Sequence, residues 1–173
     1  MELNRPYFYT ATIYRWQRLL KEDAFKVIIL DSLYHLVSHK KLKVYAFVIM
    51  PNHIHFIWEL LGTNGKESVN ASFMKYTAHR FQSELRKSSP YLLKYYKVDR
   101  NSRRYNFWQR DAYAFWLYEP KTIQQKLSYV HGNPCQGKWM LAESPLQYPY
   151  SSLAYYETGI DRFGFLSHIG ELL

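Results

Sequence analysis

The chain has 173 residues, 47% hydrophobic and 21% charged, a balance that suits one domain with a buried core and excludes a disordered or fibrous polymer. Its 23 Lys and Arg against 14 Asp and Glu give a formal charge of +9, which points to a polyanionic partner, nucleic acid first. The single cysteine, Cys135, excludes an internal disulfide and a four-cysteine zinc site, and suits the reducing cytoplasm.

Met1 to Thr10 carries Glu2 and Arg5 and has no apolar core of signal-peptide length. No run of about 18 uncharged apolar residues occurs, so neither secretion nor a membrane span is expected. Tyr7 to Trp16 has the Tyr, Phe, Thr and Ile composition of a strand, and Gln17 to Ser38 follows helical spacing without Gly or Pro. Lys43 to Met50 (KVYAFVIM) and His53 to Leu60 (HIHFIWEL) read as antiparallel strands joined by a turn at Pro51-Asn52. After Gly62 to Gly65, Ser68 to Lys87 returns to helical spacing.

Ser88 to Asn106 is basic and aperiodic, an irregular surface excursion, and Asn106 to Leu117 reads as a fourth strand. Pro120 suits the first turn of a helix over Lys121 to Asn133, which Pro134 closes. A loop-rich tail follows. The order strand, helix, strand, strand, helix, strand predicts an α+β ferredoxin-like split βαβ sandwich, its antiparallel sheet covered by helices on one face. The core spans about 7–134 of a single 1–173 domain, extended over 135–173 by the tail.

His53 and His55 flank Ile54 on a strand, so both imidazoles leave by one face. Their Cα atoms are about 6.5 to 7 Å apart, close enough to share a cation, although paired surface histidines are commonly nothing more. Tyr129 and Asn133 are four apart on the last helix and share a face. An Asn oxygen and two imidazoles suit Mg²⁺ or Mn²⁺ with positions left open. Taken singly, a helical Tyr and an Asn before Pro are ordinary helix residues.

Between Lys75 and Arg110 the basic residues are opposed only by Glu84 and Asp99. Within that stretch Lys75, Arg100, Arg103, Arg104 and Arg110 are candidates for phosphate contact, with Tyr105 and Trp108 as stacking partners. A solvated surface charge is the commoner fate of any single Lys, whereas phosphate contact is the favoured reading for Arg100, Arg103, Arg104 and Arg110.

In combination these features resemble the HUH endonucleases with one catalytic tyrosine, in particular the insertion-sequence and REP-associated tyrosine transposases. FVIMPNHIHFIWEL (Phe47 to Leu60) resembles that family's metal-binding hairpin, and FMKYTA (Phe73 to Ala78) its next helix, with Lys75 on the basic position. FWQRDAY (Phe107 to Tyr113), YVHGNP (Tyr129 to Pro134) and the tail PLQYPYSSLAYY (Pro145 to Tyr156) are similar to its later motifs. Gly132 departs from the more usual Asn, which leaves the ligand positions in place and loosens the helix end.

The resemblance implies a metal-dependent DNA transposase that nicks and rejoins single-stranded DNA near a hairpin. Tyr129 would be the nucleophile, His53 and His55 the ligands of Mg²⁺ or Mn²⁺, and Asn133 the third ligand. A 5′-phosphotyrosine would conserve the bond energy for rejoining. The family contains both homodimers and monomers. The rivals are a nucleic-acid-binding module of the same fold that cuts nothing, and a hydrolase that uses water.

Overall fold

The computed structural model describes residues 1–100 and 103–173, with side chains described outside 99–103. Strand β1 (Pro6–Thr12), helix α1 (Asp23–Ser38), strands β2 (Leu42–Ile49) and β3 (His53–Leu60), and helix α2 (Val69–Ser88) follow in order. After a short hairpin, β4 (Thr63–Asn64) with β5 (Glu67–Ser68), α2 begins on Ser68, whose hydroxyl accepts from Ala71 N–H and caps the helix. A second small hairpin, β6 (Lys97–Arg100) with β7 (Arg103–Tyr105), precedes β8 (Tyr113–Trp116), α3 (Pro120–Gly132) and α4 (Leu153–Thr158).

The main sheet has four strands in the order β2-β3-β1-β8, every neighbouring pair antiparallel. This is the ferredoxin-like arrangement, with β8 in the place of the fourth strand. Alternation along β3 sends Ile54, Phe56 and Trp58 to the α1 and α2 side, where they meet Phe25, Leu33, Phe73 and Phe81. Burial of each such side chain contributes roughly 1.5–3 kcal/mol. Ile57, with Phe8 from β1, faces the other side, and α3 covers it through Ile123 and Val130. Helices therefore occupy both faces, which explains why β2 and β3 read as near-continuous apolar runs.

The structure corrects four boundaries. The first strand stops at Thr12 rather than Trp16, because Ile13 N–H is drawn to the Asn52 carbonyl (2.8 Å) and Tyr14 N–H to that of Phe107 (2.8 Å). Helical spacing from Gln17 is interrupted at Glu22, whose extended backbone separates a single turn at Leu19–Lys21 from α1. The fourth strand is regular only over Tyr113–Trp116, with an isolated bridge from Trp108 to Ile13, since Phe107 and Trp108 sink into the α2-side core. The stretch after α2 is partly built in: Leu93 and Tyr96 are buried, and Tyr96 stacks on Phe107 at 4.7 Å between ring centroids.

The tail seals the outer edge of β2. Ile49 N–H donates to Tyr150 O (3.0 Å), Ser152 N–H to Phe47 O (3.0 Å) and Ser167 N–H to Val44 O (2.9 Å). The edge is thus closed to foreign strands. Ser152 is fully buried, and its hydroxyl also meets His131 Nε2 at 2.9 Å, tying the tail to α3. No helix among the described residues is long and apolar enough to cross a membrane.

Burial lowers the pKa of His131 from 6.5 to about 4. An unfolded chain takes up this proton near pH 6.5 while the folded one refuses it until near pH 4, so stability falls as pH drops through that window. The shift corresponds to on the order of 3 kcal/mol. Thermal melts at pH 7 and pH 4.5 should show a clear loss, and a smaller one in His131→Gln; an equal loss in both would assign the acid sensitivity elsewhere.

Candidate active site at the hairpin histidines

The β2–β3 turn is closed by Met50 N–H donating to His53 O at 2.8 Å. Asn52 within it is buried and makes two side-chain bonds. Its Nδ2 donates to the Trp16 carbonyl (3.3 Å), which directs Oδ1 at His53 Nδ1 (2.7 Å). An amide oxygen only accepts, so the neutral His53 ring carries its proton on Nδ1 and offers the Nε2 lone pair.

His55, one pleat further on, stands opposite Thr10 of β1, and its Nδ1 lies 2.7 Å from Thr10 Oγ1. Its Nε2 is buried and has no hydrogen-bond partner among the described residues. The ring is stacked on Phe8, with centroids 5.5 Å apart. The His53 and His55 ring centroids are 4.7 Å apart.

Helix α3 brings the other groups. With Ile123 and Val130 buried against the sheet, Tyr129 lies with its ring edge-on to Phe8 and His55, at centroid separations of 5.8 and 5.2 Å. It remains 41% exposed, so a strand could reach it from solvent. Asn133 continues the helical path into the next turn and is buried, with its side chain near enough to influence His53. Gly132 keeps ordinary helical angles, and a Cβ there would meet only the flexible Gln136 amide, at 2.8 Å. His131 takes no part in the site; it points into the tail, as its bond to Ser152 shows.

Burial lowers the His53 pKa to about 4, against an opposing influence of the Asn133 side chain and aided by the charge of Lys138. His55 falls to about 3, again chiefly by burial, with His53 and Lys126 adding to it. Both rings are therefore neutral near pH 7, as ligation of a metal requires. The donor set fits a divalent cation: two lone-pair nitrogens, one of them buried without a partner, and a neighbouring amide oxygen. No Asp, Glu or Cys completes a group of three with them among the described residues. Each imidazole is held through Nδ1 by a second residue, the arrangement that orients metal-binding histidines.

Sequence reasoning missed three contributors. Lys126, one helical turn before Tyr129, holds its ammonium 4.7 Å from the Phe8 ring centre and 5.8 Å from that of Tyr129. The i to i+3 spacing on α3 was the available signal. Asn52 read as a turn residue and Thr10 as a strand residue; only the pairing of β1 with β3 shows what they hold.

Three of the expected phosphate-contacting residues, Lys75, Arg104 and Arg110, lie away from this cluster. Lys75, Arg104 and Arg110 line a groove of about 520 Å³ on the α2 side of the sheet, and the Lys75 ammonium is paired with Glu67 at 2.8 Å. The side chains of Arg100 and Arg103 lie outside the described residues. Trp108 is no stacking platform: it is buried, and its indole N–H donates to Thr77 Oγ1 at 3.0 Å. Tyr105 is partly buried, with the Arg104 guanidinium 5.6 Å from its ring centre.

The fold and site together define an α+β sandwich with a His-x-His pair on a central strand and a tyrosine helix laid against it. No family model and no curated protein matches the sequence. Among solved structures, the chain shares the fold of a REP-associated tyrosine transposase bound to a REP hairpin. The TM-score is 0.61 at 16% identity, over 97% of this chain and 88% of that one.

Proposed function

We propose that the protein is a metal-dependent transposase that cuts and rejoins single-stranded DNA beside a hairpin through a 5′-phosphotyrosine. The observation that carries this reading is the buried, unpartnered Nε2 of His55 beside the exposed ring of Tyr129. The neighbour's REP hairpin and the charge of +9 favour a DNA partner.

In this reading His53 Nε2, His55 Nε2 and the Asn133 amide oxygen hold Mg²⁺ or Mn²⁺. When bound, the cation would neutralise and polarise the scissile phosphate. The chain's own groups supply the rest. Thr10 and Asn52 fix the two imidazoles, and Phe8 and His55 brace the Tyr129 ring. The phenol oxygen bonds to phosphorus, the P–O bond to the 3′ side breaks, and the departing 3′ oxygen takes a proton. The phenol proton passes to solvent. Lys126, beside the Tyr129 ring, offers a positive charge to the scissile phosphate. Reversal by a 3′-hydroxyl restores the strand.

The test is an end-labelled hairpin-bearing strand incubated with Mn²⁺ and separated under denaturing conditions. A label retained on the protein supports the proposal. A shortened strand with no protein attached indicates hydrolysis by water, and an uncut strand that still binds indicates a binding module.

A further inference from the structure

Trp16 is 68% exposed, stacks on no other ring among the described residues, and stands on a backbone that few side chains adopt. Arg15 and Trp16 are consecutive with φ of 54° and 53°, the left-handed region favoured by Gly. Their conformation is held in place by neighbours. Trp16 N–H donates to Ile13 O (2.9 Å), and the Trp16 carbonyl accepts from Asn52 Nδ2 (3.3 Å). The same Asn52 carries His53 on its Oδ1. A strained turn presenting a bare indole is therefore tied to the residue that orients a candidate ligand. Strain of this kind concentrates where a site needs a side chain in one place.

Trp16 borders a cleft of about 450 Å³ shared with Thr12, Asn106, Gln109, Arg110 and Asp111. Thr12 is the direct cross-strand partner of His53, which puts the cleft at the metal-site end of the sheet. Asn106, Gln109 and Arg110 also line the basic groove on the α2 side, so the cleft adjoins that groove. Among the described residues that line it, one cation and one anion, Arg110 and Asp111, balance each other. That balance suits a neutral base better than a phosphate. Amide and hydroxyl groups along its walls can meet base edges, while Arg15 and Arg18 on the same segment are available to the backbone.

We infer that Trp16 is a stacking platform for one unpaired nucleotide of the bound strand, with the base in this cleft and the strand continuing toward His53. The inference rests on the reading of the protein as a single-strand DNA enzyme. It is separable from the cleavage chemistry, because it concerns binding alone.

The experiment compares two 12-nucleotide strands, oligothymidylate and an abasic strand of equal charge, binding to protein carrying Tyr129→Phe in EDTA. Adding Trp16→Ala should weaken oligothymidylate binding about 5- to 100-fold and leave abasic binding unchanged, while Trp16→Phe should retain most of the affinity. Circular dichroism and a thermal melt check that each variant is folded. Equal loss on both strands, no loss on either, or a wild-type protein with no preference for bases would each overturn the proposal. These results do not depend on whether the protein forms a covalent product, which the denaturing gel decides by itself.

Discussion

With Tyr129→Phe, the labelled hairpin strand should come away from the protein under denaturing conditions, with covalent product reduced roughly 10⁴-fold or to background. The change removes one oxygen. The ring contacts to Phe8 and His55 remain, and no hydrogen bond from the Tyr129 hydroxyl is found among the described residues, so melting temperature and strand binding should stay as in the wild type. The expected signature is binding without attachment. Undiminished adduct would transfer the nucleophile to another residue. Tyr113, exposed on β8 and 6.4 Å from the Phe8 ring centre, is the next phenol to examine.

His55→Gln should lower metal-dependent cleavage by about 10²- to 10⁴-fold, in line with the loss of a group that acts only as part of a unit. Gln keeps a polar side chain opposite Thr10 but cannot supply the imidazole lone pair. Thr10→Val tests the support separately. It removes the hydroxyl 2.7 Å from His55 Nδ1 and should cost about 10- to 100-fold in metal affinity. Manganese titration and single-turnover cleavage read the two effects. If His55→Gln cuts as fast as wild type at limiting Mn²⁺, His55 is a packing residue whose burial against Phe8 is its whole contribution; if only Thr10→Val does, the Thr10 hydroxyl does not support the ligand.

The order of the main elements and the pairing of β2 with β3 were legible because the apolar runs are long and the Pro51-Asn52 turn is short. The placement of His53 and His55 on one face followed from strand geometry alone. What could not be read is where non-local pairing overrides local pattern. Phe107 and Trp108 have strand composition, yet the core formed by Phe73 and Phe81 captures them, and β8 is left with four residues. Gln17 to Glu22 has helical spacing, but spacing does not register a single extended residue such as Glu22.

The same limit applies to the site. Tyr129, Asn133 and Lys126 lie within one helical segment, so their shared face was available from the sequence. Asn52 and Thr10 act through partners that only the folded sheet supplies. The basic excess between Lys75 and Arg110 was plain, but charge counting could not place Lys75 beside Glu67 or put the groove on the α2 side of the sheet. Nor did the aromatic count separate the exposed Trp16 from the buried Trp108.

Convergence of the hairpin imidazoles on a single ion is measured most directly by pulsed electron paramagnetic resonance of Mn²⁺ bound to the Tyr129→Phe protein. Two imidazole nitrogens should couple to the manganese, one disappearing in His53→Gln and the other in His55→Gln. Asn133→Ala should weaken binding while keeping both nitrogens. A spectrum of fully hydrated Mn²⁺ in the presence of excess protein, or nitrogen couplings that persist when both histidines are replaced, would contradict the shared site.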